Sequence, residues 1–282
     1  MKPNQKVRPA KGAERSAYRL LLEYDGSRYQ GWQKQGEKQS AQGVRTVAGT
    51  LERVLQQEGL RILNLTGSGR TDGGVHAAGQ VAHLHLGAPG PKPAELRRIF
   101  DEKLPSDIAI REITPCPASF HARHDATFRT YVYQIAMRRS AFVKPYVWWI
   151  KAPFSLEKLQ EAWSSFEGMH DFSAFADLEP GESPKGHVRA CLLAKQGDLI
   201  ILRITAGHFL RRQVRRMVGA AVQCALGRES LERLRRDLAN PSPEATLHWS
   251  EKAAPSSGLF LERVGYGGDT PEDASQAPLK LL

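Results

Sequence analysis

The sequence predicts an α+β fold of mostly antiparallel sheet flanked by helices. Segments with strand alternation and segments with helical spacing intermingle, without the regular strand–helix–strand repetition of a parallel sheet. "VRACLLAKQGDLIILRIT" (188–205) reads as a hairpin turning about Gln196-Gly197-Asp198. With 41% apolar and 25% charged residues over 282 positions, the chain has the composition of a globular protein able to bury a substantial core.

The elements follow in order. "AYRLLLEYDG" (17–26) is a strand of β-favouring residues that ends at an Asp-Gly turn. From Ser40, a candidate cap, apolar residues at Val44, Val47, Ala48, Leu51, Val54 and Leu55 keep helical spacing until Gly59. "RILNLTG" is a short strand, and "QVAHLHL" (80–86) alternates as another. Pro91 and Pro93 introduce a helix on Leu96, Ile99, Phe100 and Leu104, and "IAIREI" (108–113) closes the first half. In the second half, "RTYVYQIA" (129–136) alternates and puts Tyr131, Tyr133 and Ile135 on one strand face. "SLEKLQEAWSSFEG" (155–168) is a capped amphipathic helix. After the hairpin, a long helix runs from about Phe209 to Leu226, with Gly227 as its stop. A shorter helix ends at Asn240-Pro241, and "GLFLERVGY" (258–266) is the last strand.

Several function classes fall away. No apolar run approaches the roughly 18 residues of a membrane span. Residues 1–16 are polar and basic without an apolar core, which predicts a disordered tail and not a secretory signal; 268–282 read as a loose tail. Cys116, Cys191 and Cys224 form no CxxC pair, so no zinc ribbon or redox motif is suggested and a reducing cytoplasm fits. His76, His83 and His85 lack a neighbouring carboxylate or cysteine to complete a metal set, so no metal is expected. The net charge of +10 points to a polyanionic partner, most often nucleic acid.

The densest signal is "TGSGRTDGGVHAAGQV" (66–81), with five glycines in sixteen residues. It is not a phosphate loop, because no lysine follows at the required spacing, and Gly69 and Gly73 miss the dinucleotide pattern. No nucleotide cofactor is implied. Two readings of the residues remain. In one, Asp72 is a working carboxylate, with Arg70 projecting to the same side of an extended segment and glycines clearing space for a bulky substrate. In the other, the stretch is a glycine-rich turn carrying a surface ion pair. Further along, "RRQVRR" sets Arg211, Arg212, Arg215 and Arg216 on one helix, beside a separate apolar stripe of Leu210, Val214, Met217, Val218, Ala221 and Val222. One face packs, and the arginines stay available for RNA or for solvent.

"GRTDGGVHA" (69–77) resembles the signature of the TruA-type tRNA pseudouridine synthases. Collinear matches follow in "EYDGSRYQGWQKQ" (23–35), "FHARHDATFRTYVYQI" (120–135), "HDFSAF" (170–175), "FLRRQVRRMVG" (209–219) and "GLFLERVGY". Departures are Gly73 for the usual alanine, "SAQG" (40–43), and the loops at 177–189 and 247–258. The resemblance implies two similar α/β halves, 17–115 and 116–267, with the active-site cleft between them. It implies that Asp72 is the catalytic aspartate with Arg70 as its ion-pair partner, and that Tyr131 stacks on the target base. Arg215 then contacts substrate, and Arg211, Arg212 and Arg216 bind RNA. The implied reaction converts uridine to pseudouridine in the anticodon stem-loop of tRNA, positions 38 to 40, with no cofactor or metal, in a cytoplasmic homodimer. Rival readings are a relative with another RNA target and a non-catalytic tRNA-binding or folding protein on the same scaffold.

Overall fold

Alternation decides the first strand. In β1 (Arg15–Tyr24), Tyr18, Leu20, Leu22 and Tyr24 are buried, and the residues between them are only half-buried. The computed structural model describes residues 15–33 and 44–270. Arg15 and Ser16 already belong to β1, whereas the rest of the expected N-terminal tail and 271–282 lie outside the described residues.

The expected cap Ser40 also lies outside them. Helix α1 (Val47–Gln57) starts instead at Thr46, whose hydroxyl accepts the Gly49 amide at 3.2 Å, and Val44 precedes the helix. Strands β2 (Ile62–Gly67) and β3 (His76–Gly87) follow, the latter beginning four residues before the alternation of 80–86 becomes visible. All but its last residue are buried, so β3 is covered on both faces and reads as a continuous buried run. Helix α2 (Pro93–Lys103) opens on its proline, β4 (Ile108–Pro115) completes the first half, and β5 (Phe128–Ala136) starts the second.

In the second half β6 (Trp148–Trp149) is a two-residue strand, α3 (Leu156–Ser164) is capped by Ser155, and β7 (Gly168–Asp171) follows. The hairpin is β8 (Lys185–Gln196) and β9 (Leu199–Ala206), turning at Gly197 as expected. The long helix is shorter than its spacing suggested: α4 covers Gln213–Ala225, and Arg212 at its N-cap is left-handed with φ 59°. Helix α5 (Leu231–Ala239) ends at Asn240-Pro241. Ser242 and Pro243 at once begin α6 (Pro243–Glu251), an element not expected from the sequence. The last strand is β10 (Leu259–Gly265).

Among the described residues, ten strands form one sheet ordered β4-β1-β3-β10-β5-β9-β8-β7, with β2 added on β3 and β6 on β5. The pairings are antiparallel except β10–β3 and β5–β6. The final strand therefore joins the two halves: β10 pairs with β5 over Leu259–Gly265 and with β3 at Phe260–His76 and Leu261–Ala77. Each half keeps a strand that carries a sequence motif next to this seam, β3 on one side and β5 on the other. The mixed, mostly antiparallel fold is the one the sequence predicts.

Candidate active site

The glycine-rich segment is a loop between β2 and β3, and backbone bonds hold it at both ends. The Ser68 amide donates to Val81 O at 2.7 Å, and the Ser68 hydroxyl donates to Gln80 Oε1 at 2.7 Å. Gln80 Nε2 in turn donates to Gly69 O at 3.0 Å. The Thr71 side chain is buried and bonds the Tyr24 hydroxyl at 2.8 Å, while Trp32 N–H donates to Thr71 O at 3.1 Å. On the far side Gly74 N–H donates to Tyr29 O, and Val75 N–H donates to Asp72 O, each at 3.1 Å. Gly74 sits at φ +77°, a conformation that glycine adopts without the steric cost of a Cβ. The main chain of the loop is thus bonded on either side of Asp72.

That carboxylate faces helix α4 and not its sequence neighbour. Arg215 Nη1 lies 3.6 Å from Asp72 Oδ2, and both side chains are about one-fifth to one-quarter exposed. Arg215 is itself anchored: its Nε donates to Ala254 O at 2.8 Å, and Ala254 N–H returns a bond to Arg215 O at 2.9 Å. Arg70 pairs instead with Glu179 at 3.3 Å, both side chains 61% exposed. The expectation that Arg70 is the ion-pair partner of Asp72 is therefore corrected. Residues 70–72 form no strand, so the same-side rule for positions two apart does not hold.

The four arginines also separate. Arg216 is 3% exposed; its guanidinium donates to Ala176 O at 2.9 Å and pairs with Asp177. Burial pulls its pKa down, and Asp177 opposes that shift. Arg216 is thus a structural clasp, and the RNA-binding role expected for it is corrected: on α4 it falls on the buried side beside Met217 and Ala220. Arg212 is half-exposed and also meets Asp177, at 3.3 Å. Arg211 is exposed and precedes the helix, its carbonyl accepting from Asp177 N–H at 3.0 Å. Asp177, at the start of the atypical 177–189 loop, thus gathers this basic turn.

Across the cleft, Tyr131 is 8% exposed, its ring edge-on to Phe209 with centroids 5.2 Å apart. Burial first, then the nearby Tyr24 and Asp72, raise its pKa well above the ordinary tyrosine value, so the phenol stays neutral at physiological pH. Beside it Arg129, 7% exposed, donates to four main-chain carbonyls: Gly207 at 2.6 Å, Arg123 at 2.7 Å, Ser68 at 2.8 Å and Ala126 at 3.3 Å. It ties the Asp72 loop of the first half to two segments of the second. Sequence reasoning passed over both Arg129 and Phe209. The signal for Arg129 was its period-two relation to Tyr131 on β5.

These groups line one cavity of about 440 Å³, with Asp72, Arg215, Tyr131, Phe209 and Arg129 among its walls. Arg70, Arg123, Arg211 and Arg212 also line it, so it is strongly basic. A larger, more open groove of about 820 Å³ lies between α3 and α5. Its Arg235–Glu161 pair is half-exposed on both sides, and it collects no buried polar groups comparable to those around Asp72. Among the described residues no group of three His, Cys, Asp or Glu side chains has metal-holding geometry, and no helix is long and apolar enough to cross a membrane. Both ring nitrogens of His83 are taken, by Asn64 at 2.8 Å and by Ala122 N–H at 3.0 Å.

Comparison with known proteins matches residues 21–125 and 162–267 to the family model described as tRNA pseudouridine synthase. The chain belongs to the tRNA pseudouridine synthase family. Similar relatives are each named tRNA pseudouridine synthase A. That of Hyphomonas neptunium is 36% identical over 252 residues, covering 88% of this chain and 98% of the relative. That of Dictyoglomus turgidum is 36% identical over 255 residues, covering 88% and 99%. That of Bartonella henselae is 34% identical over 263 residues, again covering 88% and 99%. The two matched segments take in the loop of Asp72 in the first and both Arg215 and β10 in the second. The cavity thus draws walls from both, with Arg129 and Tyr131 added from the stretch between them.

Proposed function

We propose that this chain isomerises uridine to pseudouridine in the anticodon stem-loop of tRNA, at positions 38 to 40, with Asp72 as the catalytic carboxylate. The observation that supports it is the Asp72 carboxylate, held on a bonded loop, within 3.6 Å of an anchored arginine and in one cavity with Tyr131. The reaction breaks the C1′–N1 bond, turns the uracil, and joins C5 to C1′; the C5 proton then leaves to solvent and N1 takes one up, so the product is an isomer of the substrate. Atoms and electrons thus balance, and one carboxylate suffices, either adding to the sugar or base or removing a ribose proton.

Arg215 keeps the carboxylate oriented. Tyr131, neutral and backed by Phe209, offers a flat surface on which the detached uracil stays while it turns. A base in a stem must be extruded first, which costs a few kcal/mol. Phosphate contacts from Arg70, Arg211 and Arg212 at the rim offset that cost. Arg70 is then a substrate-side group that exchanges Glu179 for a phosphate. The enzyme acts as a cytoplasmic homodimer in this reading; its three cysteines, all unpaired, suit a reducing compartment.

Label release from tRNA tritiated at uracil C5 tests the activity. Asp72→Asn is expected to bind tRNA and release no label, and substantial release rejects the assignment. Mapping pseudouridine in total tRNA after treatment checks the positions, and sedimentation at micromolar protein checks the dimer.

A further inference from the structure

The stem leaving the catalytic loop carries an imidazole that the chemistry above does not use. His76, the first residue of β3, is 1% exposed and stacks on Phe260 with ring centroids 4.6 Å apart. Its Nε2 lies 3.1 Å from the carbonyl oxygen of Pro145, which can only accept, so Nε2 carries a hydrogen in either charge state. Its Nδ1 faces two groups of opposite demand at 3.1 Å: the Gly26 N–H, a donor, and Asp25 Oδ1, an acceptor. A neutral ring accepts from Gly26. A protonated ring donates to Asp25 and must give Gly26 up. Asp25 is poised for this by donors of its own, Ser27 N–H at 2.9 Å and the Tyr146 hydroxyl at 3.0 Å.

The choice made at Nδ1 is transmitted toward the catalytic acid. The backbone of Gly26 is pressed on that of Val75 so closely that a Cβ on Gly26 would overlap the Val75 carbonyl oxygen. Val75 N–H is the group that bonds Asp72 O at 3.1 Å. Two contacts thus separate the imidazole-bound amide from the main chain of Asp72. The titratable groups facing the ring are Asp25 and Tyr146; Phe260, Pro145 and the Ser257 backbone complete its surroundings without charge. Burial holds the His76 pKa below its ordinary value against the pull of Asp25, so the ring is neutral at physiological pH.

We propose that His76 is a positioning residue for Asp72: its neutral ring holds Gly26, and through Val75 the catalytic loop, in register, and its protonation releases them. The inference rests on the reading of Asp72 as the catalytic carboxylate. It predicts an acid limb in kcat, below the ordinary histidine range, that is absent from KM.

Label release measured from pH 5 to pH 8, with folding followed by circular dichroism at each pH, tests it. His76→Asn sets an amide oxygen near the place of Nδ1, where it accepts from Gly26 and cannot protonate. His76→Gln sets its amide near Nε2, keeps Pro145 and leaves Gly26 without an acceptor. The asparagine variant should keep kcat within about threefold of wild type and lose the acid limb, whereas the glutamine variant should lose about tenfold in kcat at unchanged KM. An acid limb that survives in folded His76→Asn, or a wild-type kcat in His76→Gln, overturns the proposal. Should either variant fail to fold, Asp25→Asn serves: removing the acceptor for the protonated ring must move the limb to lower pH, and an unmoved limb overturns it. Activity remaining in Asp72→Asn would instead sink the catalytic assignment, so the two failures are distinguishable.

Discussion

At the scale of single residues, exposure and partners decide which arginines are free to meet a ligand and which hold the fold. Arg216→Ala is expected to destabilise the protein by about 2–3 kcal/mol in urea unfolding, because it empties a buried site and strips Asp177 of one partner. Arg211→Ala should leave stability within about 0.5 kcal/mol and lower the salt dependence of tRNA binding by about one charge. Similar stability losses for both would contradict the division. Arg129 belongs with Arg216. Replacing it by methionine leaves four carbonyls without their donor, and the expected loss is about 3 kcal/mol, read as a lower urea midpoint. Sequence gave no means of separating these side chains. Arg211, Arg212, Arg215 and Arg216 look alike in a basic run, and only the left-handed turn at Arg212 shows where the helix begins.

At the scale of elements, the ion pair of the cleft depends on how close α4 comes to the segment following α6. A Cβ on Gly219 would overlap the carbonyl oxygen of Lys252, so glycine there permits the approach that lets Arg215 and Ala254 exchange bonds one helical turn away. Gly219→Ala should therefore cost about 1–3 kcal/mol of stability and also lower kcat more than it raises KM, since Arg215 is carried away from Asp72. A stability loss with unchanged kcat would show that the pair tolerates the displacement. The existence of α4 was legible from its apolar stripe, which packs as read. Its start was not, because Leu210 fits the helical spacing although it lies outside the helix. Helix α6 was hidden for the converse reason: Asn240-Pro241 read as a stop, and Pro243, two residues on, sits at the first helical position where a proline starts a helix.

At the scale of the whole molecule, one sheet runs through both halves, and its interior histidines make stability depend on pH. Burial, together with His121 and His85, lowers the pKa of His83 to about 4. The unfolded chain binds a proton there near 6.5 and the folded chain only near 4. The folded state thus binds fewer protons within that window, and stability falls as pH drops through it. Thermal unfolding should show a falling Tm between those values, and His83→Gln should flatten the slope; an unchanged slope would reject the assignment. The sequence by itself determined the α+β class, the order of most strands and helices, and the glycine-rich loop that carries Asp72, because period-two and helical spacing, capping residues and a glycine-flanked carboxylate are properties of neighbours along the chain. Tertiary structure alone decided that Arg215 and not Arg70 meets Asp72, that Arg216 is buried, and that β10 closes the seam between the halves. Those contacts join residues up to about two hundred positions apart, and a charge or a strand edge takes its partner from whatever the packing brings within a few ångströms, a distance that local pattern does not encode.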